Sequence, residues 1–302
     1  LPNAISAPPV APVTDSLGNY PLAGWWDNPV AVGREVINQA ETVHNISNIY
    51  GEYRITDNLK VKNQWGFDYY NLQERRFEPS FVKSAKESNG YGADGSSNVF
   101  KLTQQTTLNY IKEFGEKHKI NALLGYSFEK WDGKYLFMAG TQFPNDQLQY
   151  LESAAVIDEE ATQSELSESG LTSFFGRLKY NYDNKYLVNL TLRRDGSSNF
   201  GENYRYAYLP SFSFAWRTIE EPFLKDQSLL SDLKFKFSYG LTGNDDIGAF
   251  GSLNLYSSGY NYYGQSGLIP TQIPNPDLKW ETTSNYNVGL DLGLFNNRIL
   301  LS

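Results

Sequence analysis

Along most of this chain, apolar and polar residues alternate with a period of two. In Leu59–Asn71 the odd positions read Leu59, Val61, Asn63, Trp65, Phe67 and Tyr69; the even ones read Lys60, Lys62, Gln64, Gly66, Asp68 and Tyr70. Successive residues of a strand point to opposite faces, so this spacing gathers nearly all the apolar groups on one face. The same holds for Lys119–Lys130 (Ile120, Ala122, Leu124, Tyr126, Phe128), for Leu233–Thr242 (Leu233, Phe235, Phe237, Tyr239, Leu241) and for Thr282–Phe295 (Tyr286, Val288, Leu290, Leu292, Leu294). Weaker alternation marks Thr42–Ile55, Phe100–Phe114, Thr172–Tyr182, Tyr186–Asp195 and Tyr206–Trp216, and Ile299–Ser302 begins one more strand. Ten strands are therefore predicted, and no segment sustains the period of a long amphipathic helix.

The connections alternate too. Thr56-Asp57-Asn58, Gly115–His118, Asp183-Asn184-Lys185 and Asn296-Asn297-Arg298 are short, whereas Leu72–Val99, Trp131–Leu171 and Gly243–Glu281 are long and Gly196–Arg205 is intermediate. Short turns fall at one end of the hairpins and long loops at the other, the arrangement of an outer-membrane barrel with short periplasmic turns and long outer loops. Arg217–Asp232 is the exception on the short side. Asn and Asp in the short turns suit the positive φ of tight hairpins. Phe114, Tyr182, Tyr186 and Trp216 adjoin the short turns, and Tyr69, Phe128 and Tyr206 lie near the opposite strand ends, as two headgroup-level aromatic belts would require.

Composition narrows the chemistry. There is no Cys, which removes disulfides, thiolate metal sites and Cys nucleophiles. His44 and His118 are the only histidines, too few for a His-rich metal site. The net charge of -8 opposes binding to a nucleic-acid backbone. No apolar run approaches the ~20 residues of a spanning helix. Abundant Tyr and Phe without such a helix fit a barrel, which spreads apolar residues singly along its strands. Hydrolase, metalloprotease, P-loop and dinucleotide motifs are absent, so neither a catalytic residue, a cofactor nor a metal is expected. The acidic stretch Asp158-Glu159-Glu160, with Glu165 and Glu168, lacks the spacing of a Ca²⁺ loop and reads as a solvated loop or a surface for a basic partner.

Four stretches carry a further signal: Arg193-Arg194-Asp195-Gly196-Ser197-Ser198-Asn199-Phe200-Gly201; Pro210–Arg217 running into Glu220-Glu221-Pro222-Phe223-Leu224; Leu233–Tyr239 followed by Gly240-Leu241-Thr242-Gly243-Asn244; and Asn275-Pro276-Asp277-Leu278-Lys279-Trp280-Glu281-Thr282-Thr283. In order and spacing they closely resemble the SusC/RagA class of TonB-linked outer-membrane transporters, densely over Ser169 to Ser302 and more loosely through Asn109–Phe128. The resemblance implies an all-β fold: an antiparallel transmembrane barrel of about 22 strands, with an N-terminal plug energised by TonB. It further implies a SusD-like surface lipoprotein as partner, and oligosaccharide or peptide as cargo. Against that pattern the chain reads as a section of barrel wall in the outer membrane, embedded in its lipid. Residues 1–41 are expected as an outer loop segment and 42–302 as strands and loops. The plug and TonB box lie outside it.

Individual residues admit a bland and a sharper reading. Arg193 and Asp195 share the lumen-facing parity, as a wall salt bridge or as cargo contacts; Arg194 shares the apolar parity and would snorkel at the membrane interface. Trp131, Tyr260, Tyr262 and Tyr263 are placed in outer loops as candidate cargo or lid contacts, with loop self-packing as the alternative; Trp25 and Trp26 lie in the N-terminal segment. Pro210 suggests a bulge. Glu220-Glu221-Pro222 reads as the first turn of a short helix, and Trp280 as a girdle residue. The competing whole-chain readings are a soluble carbohydrate-binding or glycosidase β-domain, and a passive porin-like barrel.

Overall fold

The computed structural model describes residues 27–224 and 228–302, together with 12–21 and the single positions 5 and 8; Trp25 and Trp26 lie outside the described residues. The strands are β1 (Ile37–Thr56), β2 (Leu59–Glu78), β3 (Tyr91–Phe114), β4 (His118–Thr141), β5 (Val156–Ile157), β6 (Gln163–Tyr182) and β7 (Tyr186–Ser197). They continue with β8 (Tyr206–Arg217), β9 (Leu230–Asn244), β10 (Leu255–Tyr262), β11 (Gln265–Gln272), β12 (Glu281–Leu294) and β13 (Ile299–Leu301). One sheet runs β1-β2-β3-β4-β6-β7-β8-β9-β12-β13, with β5 on β4; β10 and β11 form a separate hairpin. These ten wall strands correspond to the ten that the alternation predicts. Short helices α1 (Pro29–Glu35) and α2 (Lys83–Lys86) accompany them. Asn28 caps α1, its Oδ1 accepting from Val30 N at 3.0 Å, and β1 then begins at Ile37, inside the stretch expected as loop.

Two compact units are distinguished. The first comprises Leu1–Ile46, Asp68–Phe100 and Asp132–Ser167. It contains the long connections after β2 and after β4, and they are knitted together rather than structureless. Phe143 N donates to Asn89 O at 3.0 Å, and Gln142 N to Ser88 O at 2.9 Å. Phe77, fully buried, meets Phe143 edge-on at 5.1 Å. Arg75 lies over the Tyr150 ring and donates to Gln149 O, and Ser80 N and Oγ both donate to Asp146. The strands also run further than the apolar alternation does. Polar residues on both faces carry β2 to Glu78 and start β3 at Tyr91, so Gln73 bonds Ser96 and Asn71 bonds Asn98 across the ladder. Backbone pairing needs no apolar face, which is why the period-two signal ends before the strands do.

The second unit comprises Ser47–Phe67, Lys101–Trp131 and Glu168–Ser302. Its register aligns the apolar faces of neighbouring strands. Leu178 pairs with Leu190, Leu190 with Phe212, Phe212 with Tyr239 and Tyr239 with Tyr286. The next line is Tyr180, Val188, Phe214, Phe237 and Val288. The opposite face carries Lys179, Asn189, Ser213, Ser238 and Asn287 in the same order. The apolar face is left uncovered: Val288 is 86% exposed and Tyr286 68%. A sheet that shows water its apolar side has the wrong sidedness for a soluble sandwich and the right one for a wall set in lipid.

Turn chemistry follows the sequence at Asp183-Asn184 and Asn296-Asn297, all four with positive φ. Pro210 gives no bulge between β7 and β8, where it pairs in register with Leu192. Instead the β8–β9 ladder starts just after it, at Ser211 opposite Gly240. Proline has no N–H to give a second neighbour, so it stands where that ladder stops.

Candidate functional site

On its polar face the second unit forms a groove of about 660 Å³, lined by Asn189, Thr191, Arg193, Asp195, Ser211, Ser213, Ser238, Thr242, Asn285, Asn287 and Trp280 among others. A second hollow of about 810 Å³ lies toward the short turns, lined by Lys119, Asn121, Lys179, Lys234, Lys236 and Asn287. In the upper groove the one cationic side chain, Arg193, is paired, whereas the lower hollow carries Lys112, Lys119, Lys179, Lys234 and Lys236 against Glu113 and the adjoining Asp291. Arg193 Nε donates to both carboxylate oxygens of Asp195, at 2.6 and 2.7 Å, and its Nη2 to Ser173 Oγ at 2.6 Å. Asp195 and Ser173 are buried, so this is a wall ion pair with its bonding capacity used. Asp291 accepts from Lys236 and lies 3.6 Å from Lys234. What the upper groove offers is short hydroxyl and amide side chains, able to donate and accept without net charge. Among the described residues no cluster of His, Asp and Glu has the arrangement of a metal site.

The sequence motifs converge beside this groove. Phe200, fully buried, packs on Trp280 with ring centroids 4.9 Å apart. Gly201 N donates to Leu278 O, Asn203 N to Pro276 O and Asn203 Nδ2 to Asp277 Oδ1 at 2.8 Å. Trp280 Nε1 donates to Arg205 O at 3.0 Å, and Asn199 Nδ2 to Asp245 O at 3.1 Å. A Cβ on Gly201 would lie 2.0 Å from Pro276 O, so only glycine permits this backbone approach. The loop after β7 and the segment leading into β12 are thereby clasped. Trp280, expected at a membrane girdle, is the ring on which the clasp closes.

At the short-turn end rings of the apolar face follow one another: His118 and Tyr182 at 5.0 Å, Tyr182 and Tyr186 at 6.3 Å, Tyr186 and Trp216 at 6.4 Å. Glu221 ties them down. It accepts from Tyr186 Oη at 2.5 Å and Trp216 Nε1 at 3.2 Å, with Lys185 Nζ at 3.6 Å. The expected helix is instead two single 3-10 turns, Thr218–Glu220 and Pro222–Leu224. The Tyr186 hydrogen bond foremost, with Trp216 and Lys185, holds the Glu221 carboxyl below the usual carboxylate range. A depressed pKa adds stability that is complete above the unfolded-state value and vanishes as pH falls through the folded one. Glu221→Gln should therefore flatten the loss of stability on acidification across and below the ordinary carboxylate range, read as thermal midpoint against pH in detergent. A variant as acid-sensitive as the parent would contradict this role.

The other expected residues separate. Trp131 is not in a loop but within β4, carried there because β4 extends to Thr141. Tyr260 and Tyr262 lie on β10 and Tyr263 in its turn, 50%, 73% and 91% exposed, with Tyr262 and Tyr263 in edge contact at 5.1 Å. The β10–β11 hairpin was hidden inside a long predicted loop. Tyr263-Gly264, with φ of 50° and 80°, is its turn signal. Its base is stapled by Gln272 Nε2, which reaches Phe250 O, Gly251 O and Leu253 O. Asp158 serves a local turn, its Oδ1 accepting from Ala161 N.

Known proteins fit this geometry. The family model described as TonB dependent receptor-like, beta-barrel matches residues 5–302. TonB-dependent receptor P3 of Formosa agariphila is 36% identical over 281 residues, covering 91% of this chain and 28% of that protein. TonB-dependent receptor SusC of Bacteroides thetaiotaomicron is 34% identical over 230 residues, covering 70% of this chain and 21% of that protein. The solved structure of the RagAB peptide transporter matches with a TM-score of 0.81 at 26% identity, over 91% of this chain and 30% of that one. The chain thus spans less than a third of the length of these relatives. With its lipid-facing apolar strands, short turns and long connections, the chain belongs to the TonB dependent receptor-like β-barrel family, as an outer-membrane barrel protein of the SusC/RagA type.

Proposed function

We propose that this wall lines the import path of a TonB-driven outer-membrane transporter, with Arg193 and Asp195 facing its lumen. Its cargo is an uncharged, hydrogen-bonding polymer fragment, an oligosaccharide or a peptide. The observation that carries this reading is the polar-face groove, whose Asn, Ser and Thr side chains suit hydroxyls and amides and whose one cation, Arg193, is held by Asp195. SusC and the RagAB peptide transporter as relatives support it. The whole protein would reach TonB through its plug region and work with a SusD-like lipoprotein over the outer mouth. Tyr260, Tyr262 and Tyr263, exposed on their hairpin, are candidates to meet cargo or that lid, and Trp131, a wall position on β4, is a further candidate for the same role.

Uptake measured in cells carrying the full-length protein tests this. Import of oligosaccharide or peptide should cease when TonB is deleted. Changing Tyr260, Tyr262 and Tyr263 together to Ala should weaken cargo or lid binding about tenfold, roughly 1.4 kcal/mol. Uptake that continues without TonB would instead identify a passive pore.

A further inference from the structure

The adjacent residues Arg193 and Arg194 meet opposite fates. Arg193 on the polar face is neutralised by Asp195, whereas Arg194 on the apolar face has no carboxylate or hydrogen-bond partner among the described residues, and its Nε is buried without one. Its guanidinium carbon lies over the Tyr206 ring, 3.9 Å from the centroid, and 5.8 Å from that of Tyr208. Both rings are open, at 49% and 61% exposure, and Phe174, the register partner of Arg194, is 55% exposed. Arg194 stands eight residues along β7 from Tyr186 at the short turn. That is about 27 Å of strand, or about 20 Å of height at a tilt of about 40°, near the outer edge of an apolar band about 25 Å tall. An unpaired guanidinium, braced by an aromatic platform at headgroup depth, presents its remaining N–H donors to the membrane side.

From this we infer that Arg194, Tyr206 and Tyr208 form a site on the outside of the wall for the phosphate of an anionic lipid headgroup in the outer leaflet. The charge is complementary, the guanidinium fork matches phosphate oxygens, and the two phenol hydroxyls add donors at the same rim. The site faces away from the import groove and does not depend on what the groove carries.

The test is titration of the full-length protein in uncharged detergent with phosphatidic acid and, separately, phosphatidylcholine, read as bound lipid by native mass spectrometry. The parent protein should prefer phosphatidic acid. Arg194→Gln should weaken that binding about fivefold, the effect of one cation at a membrane surface, while Arg194→Lys retains part of it and Tyr206→Leu, which removes the brace, loses a smaller factor. Arg298→Gln, which deletes the same charge in the turn after β12, should change little. Unaltered phosphatidic acid binding in Arg194→Gln, or an equal loss in Arg298→Gln, would overturn the assignment. If Arg194→Gln fails to show the heat-modifiable mobility of a folded barrel, Arg194→Lys carries the test, and binding equal to the parent for both lipids in the Tyr206→Leu protein then rejects it.

Discussion

Arginine in place of Leu190 should destabilise the wall in a bilayer by about 2–4 kcal/mol. Leu190 belongs to the apolar line Leu178, Leu190, Phe212, Tyr239 and Tyr286, and is 45% exposed on the lipid side. It stands four residues from Tyr186, about 14 Å of strand and about 10 Å of height, which sets it near the middle of the apolar band. A guanidinium there finds neither water nor a carboxylate. Leu290 occupies the equivalent place on β12, four residues from Leu294, and should respond alike. Leu294→Arg, at the strand end, should cost only about 0–1 kcal/mol. Reversible unfolding of the full-length barrel in lipid measures all three. Equal costs at Leu190 and Leu294 would mean that this face does not meet hydrocarbon.

Phe200→Ala should cost about 3–5 kcal/mol, the range for emptying a buried aromatic site. The ring has no exposed surface and rests on Trp280. Its surroundings are poorly able to collapse, because Gly201, Asn203 and Arg205 are hydrogen-bonded to Leu278, Pro276, Asp277 and Trp280. Thermal unfolding in detergent gives the loss, and protease sensitivity near residues 198–205 and 275–280 shows where the structure opens. Gly201→Ala separates the two causes: it leaves no cavity, yet pushes a methyl against Pro276 O, so it should open the same segments. A loss under about 1 kcal/mol for Phe200→Ala would place the clasp's strength in its hydrogen bonds alone.

How legible was this from the chain? The wall strands were, because lipid on one side and water on the other impose a period of two that residues such as Leu233, Phe235, Phe237 and Tyr239 display directly. The hairpin alternation was legible because turn length is local. What escaped depends on residues far apart in sequence. Glu221 gains its role from Tyr186, 35 positions away, and Trp280 from Phe200, so Glu-Glu-Pro looked like a helix start and Trp280 like a girdle ring. Phe77 and Phe143 join connections that look structureless when taken singly. The polar ends of β2 and β3 escaped for a different reason: backbone hydrogen bonds hold them, and those leave no mark on side-chain pattern. Trp131 reads as loop because the stretch of β4 after it, Asp-Gly-Lys and then the unbroken apolar run Tyr135–Ala139, does not alternate. Of the candidate site, the Arg193–Asp195 pairing was readable from parity, whereas the freedom of Arg194 required knowing which side chains surround it.

The stapled base of the β10–β11 hairpin has a mechanical consequence. Gln272 fixes three carbonyls at the foot of the hairpin, and Asn275 N is bonded to Ser252 O, so both legs are pinned at one level. Eight-residue arms rise from that level to Tyr263, a lever of about 27 Å. A rotation of about ten degrees at the pinned foot sweeps the tyrosines through about 5 Å while the foot itself scarcely moves. Displacement at the tip is thus amplified about a fulcrum that the wall never has to shift.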